Sequence, residues 1–184
     1  MSSIRATARR RSWPVLALAG LGLLAPAAHA ADELAKGLAG TWRGAVTEST
    51  LETPLREVEV ELEASGSDVI ARWPTVDGSA QLVRLAPSER PGILAPAAGG
   101  LQAMLGNADV PNPLEGEPLL WARRDERAFY IYRLELAVDG RLTLDRYVFE
   151  PGPHPGRLAF SVTRSGAGGE KLGQARATLE RQGR

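Results

Sequence analysis

The chain has 184 residues, with 22 lysines and arginines against 22 aspartates and glutamates, and no cysteine. It therefore has no cysteine nucleophile, thiolate metal site, disulfide staple or cysteine-linked lipid anchor, and its charge balance offers nothing that would draw it to nucleic acid or an anionic membrane. A solvent-excluding core must hold without cross-links.

The opening "MSSIRATARRRSWPVLALAGLGLLAPAAHA" carries Arg5, Arg9, Arg10 and Arg11, then an apolar run from Val15 to Ala25, then small residues around His29. This pattern predicts a secretory signal peptide over residues 1–30, cut after Ala30, and a periplasmic or secreted protein. The apolar run falls short of the ~20 residues that a membrane span needs. Arg10 and Arg11 suggest the twin-arginine route, but Trp13 and Pro14 fit its flanking pattern poorly, so the general secretory route is the reading adopted. The expected mature chain, residues 31–184, has 18 basic and 22 acidic residues, a net charge near −4. Its length is that of one domain.

From Thr41 onward the dominant period is two, which predicts strands. Thr41–Thr50 is the first. In "LREVEVELEAS", Val58, Val60 and Leu62 share one face and Glu57, Glu59, Glu61 and Glu63 the other. "DVIARWP" follows, with Val69, Ala71 and Trp73 in phase. A two-residue turn at Ser65 and Gly66 would pair Leu62 with Val69, Val60 with Ala71 and Val58 with Trp73, and set Glu59 opposite Arg72. Ser79–Ala86 is a further strand, and the short "GILA" is left undecided.

Between Pro87 and Pro118 the alternation lapses. Six prolines fall in this stretch, and Leu101, Met104 and Leu105 have the spacing of one helix face. An insertion of this length is expected to serve either as a lid or as a surface excursion packed on the outside of the sheet.

Leu119–Arg124 is predicted as a strand and is followed by the hairpin "FYIYRLELAVDGRLTLDRYVF". A two-residue loop there would mix the faces. A three-residue loop over 138–140, with Gly140 left-handed, instead pairs Leu136 with Leu142, Leu134 with Leu144, Tyr132 with Arg146 and Tyr130 with Val148, and sets Arg133 against Asp145 on the other face. Arg157–Arg164 and Gly173–Arg181 complete nine candidate strands. The mature chain's one histidine, His154, lies in "PGPHPG", a setting that suits a solvated loop better than a catalytic base. No catalytic set, metal-ligand cluster or cofactor motif is present.

Many short antiparallel strands in one domain resolve their edges by closing on themselves. The fold expected is all-β: a closed or nearly closed antiparallel up-and-down β-barrel of about 8–10 strands, with a proline-rich insertion at 87–118. The segment "LAGTW", after "DELAKGL", resembles the start of the calycin barrels, the group of lipocalins, fatty-acid-binding proteins and avidins. That resemblance implies that Trp42 opens the first strand, seals one end and stacks on an arginine of the last strand. Antiparallel pairing of the first and last strands favours Arg181 over Arg176 for that place. "GTWRG" also looks like the opening of nitrobindin-type haem barrels, but the histidine that resemblance would require near the last strand is absent from "GQARATLERQ", so no haem or other cofactor is expected.

Taking the even face of the second hairpin as interior, the barrel would enclose Trp73, Tyr130, Tyr132 and Arg146, with Trp121 nearby. Arg146 opposite a tyrosine would hold the carboxylate of an amphipathic ligand while apolar walls take its tail; the alternative is an arginine neutralised within the protein. The function expected is an exported barrel binding a small apolar or amphipathic ligand. A second reading is an envelope inhibitor or assembly partner acting through its outer surface, where Phe129, Ile131, Tyr147 and Phe149 would form an apolar patch. The third, an isomerase- or hydratase-type enzyme, is disfavoured because no acid–base pair stands out.

Overall fold

The structure is a computed structural model that describes residues 37–97, 111–137 and 139–183. The leader and Leu101, Met104 and Leu105 lie outside the described residues.

Among the described residues, ten strands form one closed antiparallel barrel. They are β1 (Gly40–Ser49), β2 (Glu57–Ser65), β3 (Asp68–Pro74), β4 (Ala80–Pro87), β5 (Ile93–Pro96), β6 (Leu119–Arg124), β7 (Phe129–Leu136), β8 (Leu142–Pro151), β9 (Arg157–Gly166) and β10 (Lys171–Arg181). Each strand pairs with the next, and β1 pairs with β10 to complete the cylinder. The undecided "GILA" supplies the tenth strand, so part of the proline-rich region belongs to the wall. β5 is short and meets β6 only at Ile93 and Leu94.

The ends of the barrel differ. At one, Trp42 is buried and its indole Nε1 donates to the carbonyl of Leu38 at 2.8 Å. Trp42 and Arg181 are register partners, as antiparallel pairing required, and the guanidinium carbon lies 5.2 Å from the ring centroid. Arg176 instead faces outward beside Glu48, with 3.7 Å between Nη1 and Oε2. Beside the plug, β1 crosses β10 so closely that a Cβ at Gly44 would collide with the Thr178 carbonyl oxygen. At the far end, the loops after β1 and β3 bring Leu51, Leu55 and Val76 into buried positions over the barrel.

In β2 the expected faces hold: Val58, Val60 and Leu62 point inward and the four glutamates outward. The turn is corrected by one residue. Its two loop positions are Gly66 and Ser67, giving Leu62↔Ala71, Ala64↔Val69 and Glu61↔Arg72. Gly66 has φ 61°, a value open to glycine at the first turn position, where the expected turn would have placed Ser65.

For β7 and β8 the expected pairing is observed pair for pair: Leu136↔Leu142, Leu134↔Leu144, Tyr132↔Arg146 and Tyr130↔Val148. Ala137 and Arg141 flank the 138–140 loop, and Gly140 is left-handed with φ 81°. The face is inverted, however. Phe129, Ile131, Tyr147 and Phe149 are the buried members, in line with Ala122 on β6 and with Leu158, Phe160 and Val162 on β9. They build the core, and the outer apolar patch expected of them does not exist.

Candidate functional site

The middle of the barrel is filled. Val58, Val60, Ala71, Leu85, Ile131, Tyr147, Phe149, Leu158, Val162 and Leu179 have no accessible surface, so no water-sized space touches them. Near the plugged end a space of about 10 Å³ between Leu38, Leu62, Val69 and Phe129 holds at most one water. An open groove of about 330 Å³ lies on the outer wall, between Thr47, Glu150, Ser161, Arg176 and Thr178.

Polar chemistry inside the wall collects toward the far end. Odd-numbered strands run from the plug toward that end, so the inward residues late in β7 and β9 and early in β8 meet there. They are Arg133 and Glu135, Arg164, and Asp145. Asp145 is fully buried and accepts a forked pair of hydrogen bonds from Arg164, Nε to Oδ1 at 2.7 Å and Nη2 to Oδ2 at 2.8 Å. Arg133 Nη1 lies 3.5 Å from Asp145 Oδ2 and donates to Glu135 Oε2 at 2.5 Å; Arg164 Nη2 is 3.9 Å from the same Glu135 oxygen. The hydrogen bond to Asp145 raises the Arg164 pKa further. Two cations and two anions thus interlock.

The turn over this cluster is tied by side chains. Thr75 Oγ1 donates to Asp77 and lies 2.7 Å from Ser79 Oγ, and the Ser79 N–H donates to Asp77 Oδ1 at 2.9 Å. These donors, Thr75 first, hold the Asp77 carboxyl down to about 2, against desolvation and with a smaller contribution from Arg133.

Among the described residues, the buried atoms Ser49 Oγ, Trp73 Nε1, Arg133 Nε and Tyr147 Oη near this end lack a well-formed hydrogen bond, and the Val76 backbone N–H stands near enough to the Tyr147 oxygen to act on it. Trp73 and Tyr147 pack edge to face with centroids 5.8 Å apart. Burial, then the Asp145 charge, pushes the Tyr147 hydroxyl pKa upward, while Arg133, the Val76 backbone and Arg164 act against that rise. The phenol stays neutral, as a donor. Buried polar atoms of folded proteins are nearly always paired, so four orphans in one region are an anomaly that asks for a cause.

Of the residues expected to bind ligand, only Trp73 lies inside. Arg146 is exposed on the outer wall, and Tyr132 and Tyr130 are half-buried on that same face. Trp121 stacks on Tyr132 with centroids 5.1 Å apart and planes 7° apart, and Tyr130 continues the row at 6.5 Å. The inward arginines are instead Arg133 and Arg164, on the opposite parity, and each faces Asp145 across the ladder, not a tyrosine. The missed signal was Arg164, an arginine in phase with Leu158, Phe160 and Val162 on one strand. That phase, together with Arg133 facing Asp145, marks a buried ion cluster.

No family model matches the chain, and no curated protein is found to be similar in sequence. Among solved structures, a DUF3598-family protein of unknown function from Nostoc punctiforme aligns over 80% of this chain at 13% identity and TM-score 0.46; the chain spans 48% of that protein's length. Rv2717c from M. tuberculosis aligns over 84% of this chain and 98% of its own, at 16% identity and TM-score 0.40. Zebrafish ileal bile acid-binding protein, complexed with cholic acid, aligns over 79% of this chain and 99% of its own, at 12% identity and TM-score 0.34. None is at an identity or TM-score that says what this chain binds.

Proposed function

We propose that this chain is an exported, calycin-like binding barrel that takes a small, largely apolar molecule at the far end, against Trp73, Arg133 and Tyr147. The observation that carries this reading is the set of orphaned polar atoms there. An unpaired buried donor costs about 1–3 kcal/mol, a cost that a bound acceptor relieves. The apolar roof of Leu51, Leu55 and Val76 suits the body of such a molecule and must shift outward to admit it. Export is supported by the pattern of residues 1–30. Organic extraction and native mass spectrometry of the purified protein should recover a bound small molecule, which Trp73→Ala removes. Recovery of none, with no binding of lipophilic fluorescent probes, would overturn the reading.

The second reading, a partner-binding outer surface, is favoured by one observation. The row Trp121, Tyr132 and Tyr130 is flanked across the ladder by Leu119, Leu134 and Leu144, all only half-buried. Affinity capture from an envelope extract, compared between wild type and Tyr132→Glu, tests it. Identical captured proteins would remove this face from consideration.

A further inference from the structure

We infer that the group recognised at the far end is an uncharged hydrogen-bond acceptor, such as a ketone, ester or ether oxygen, and not a carboxylate. This rests on the binding reading above and narrows its ligand class.

At the far end the charges are balanced while hydrogen-bond donors are left over. Arg133 and Arg164 are the two cations of the cluster, and both are engaged: Arg164 grips both oxygens of Asp145, and Arg133 Nη1 is shared between Glu135 and Asp145. Their charges are matched one for one inside the protein, and the Asp77 carboxylate adds a further negative charge within electrostatic reach of Arg133. A ligand carboxylate would therefore shed its water to join a site with no cation to spare and with Asp145 already buried nearby. Burying a charge without an opposite partner is among the most unfavourable steps in protein chemistry.

The hydrogen-bonding capacity left over has the opposite character. Trp73 Nε1 and Arg133 Nε can only donate, and Tyr147, held neutral, has its proton to offer. Ser49 Oγ can do either. Three donors and no spare cation describe a place for a neutral oxygen lone pair. Arg133 contributes through Nε, which is buried and has no hydrogen bond among the described residues, while its charge is matched by Glu135 and Asp145.

The test compares 2-dodecanone with dodecanoate at a pH where the acid is fully ionised. The readout is the indole ¹H–¹⁵N resonance of Trp73 in the full chain, identified by its loss in Trp73→Phe. The ketone should shift that resonance saturably, and dodecanoate should bind about tenfold more weakly or worse. Tyr147→Phe, which removes one donor and no volume of note, should weaken the ketone by about tenfold while the barrel stays folded. Dodecanoate binding as tightly as the ketone would overturn the inference and leave the binding reading intact. A Trp73 resonance that neither probe moves, combined with no extracted ligand, would overturn both.

Discussion

Arg181, on the last strand, lies over the indole of Trp42, on the first, with 5.2 Å between guanidinium carbon and ring centroid, while the same indole donates to the Leu38 carbonyl. Trp42→Ala should destabilise the barrel by ~3–5 kcal/mol through the cavity it leaves. Arg181→Ala should cost about 0.5–2 kcal/mol, the worth of the cation–π contact. Arg176→Ala should cost least, because that side chain reaches only an exposed glutamate. Thermal melts of the three variants check the order; equal melting temperatures for the two arginine variants would refute it.

Asp145 is the hinge of the ion cluster. Asp145→Ala leaves Arg164 and Arg133 without their shared acceptor and should destabilise by about 3 kcal/mol or more. Denaturant titration would show this as a lower midpoint at unchanged slope, since the surface exposed on unfolding is the same. A midpoint like that of the wild type would mean that the arginines find other partners.

Tyr147→Phe should be neutral for stability or stabilising, because the hydroxyl is desolvated without a well-formed hydrogen bond among the described residues. A melting temperature lowered by several degrees would show that the hydroxyl is satisfied in solution.

Two titrations bracket the stability profile. The Asp77 carboxyl is depressed to about 2 in the folded protein from its ordinary value of 3.8, so its stabilisation is present above about pH 4 and lost as pH falls toward 2. Asp77→Asn should flatten that acid limb. The Tyr147 phenol is shifted the other way, so its contribution is whole below pH 10 and declines as pH rises past it, where the unfolded chain ionises first. Tyr147→Phe should flatten the alkaline limb.

The inverted hairpin offers a direct check, because a chain without cysteine makes every introduced thiol unique. Cysteines at positions 132 and 146 should react with a soluble thiol reagent at rates typical of half-buried and exposed sites. Cysteines at 131 and 147 should be protected until the barrel unfolds. Fast labelling at 147 and slow labelling at 146 would restore the opposite face.

That hairpin also shows what could be read from residues alone. Alternation states which side chains share a face, and loop length fixes which pairs meet; both were legible, down to Gly140 in the left-handed conformation. Alternation does not say which face is inside when both are apolar. Here the odd face offers Phe129, Ile131, Tyr147 and Phe149, and the even face Tyr130, Tyr132, Leu134, Leu144 and Val148. The polar residues misled, because Arg133 and Asp145 read as a wet-face pair. Only their neutralisation by Arg164 and Glu135, which come together when β7, β8 and β9 lie side by side, makes their burial tolerable. In β2, where one face is all glutamate, no such ambiguity arose.

The pairing of Trp42 with Arg181 also sets an order of events. A ribosome delivers β1 well before β10, and among the described residues the two pair with each other to close the barrel. Until β10 is in place, β1 presents an open row of amide and carbonyl groups able to recruit any passing strand. The rate of reaching the native state should therefore be governed by the meeting of β1 and β10, a distant contact whose loop-closure entropy must be met before its hydrogen bonds form. Removing β10 should accordingly leave an assembly-prone chain rather than a smaller barrel.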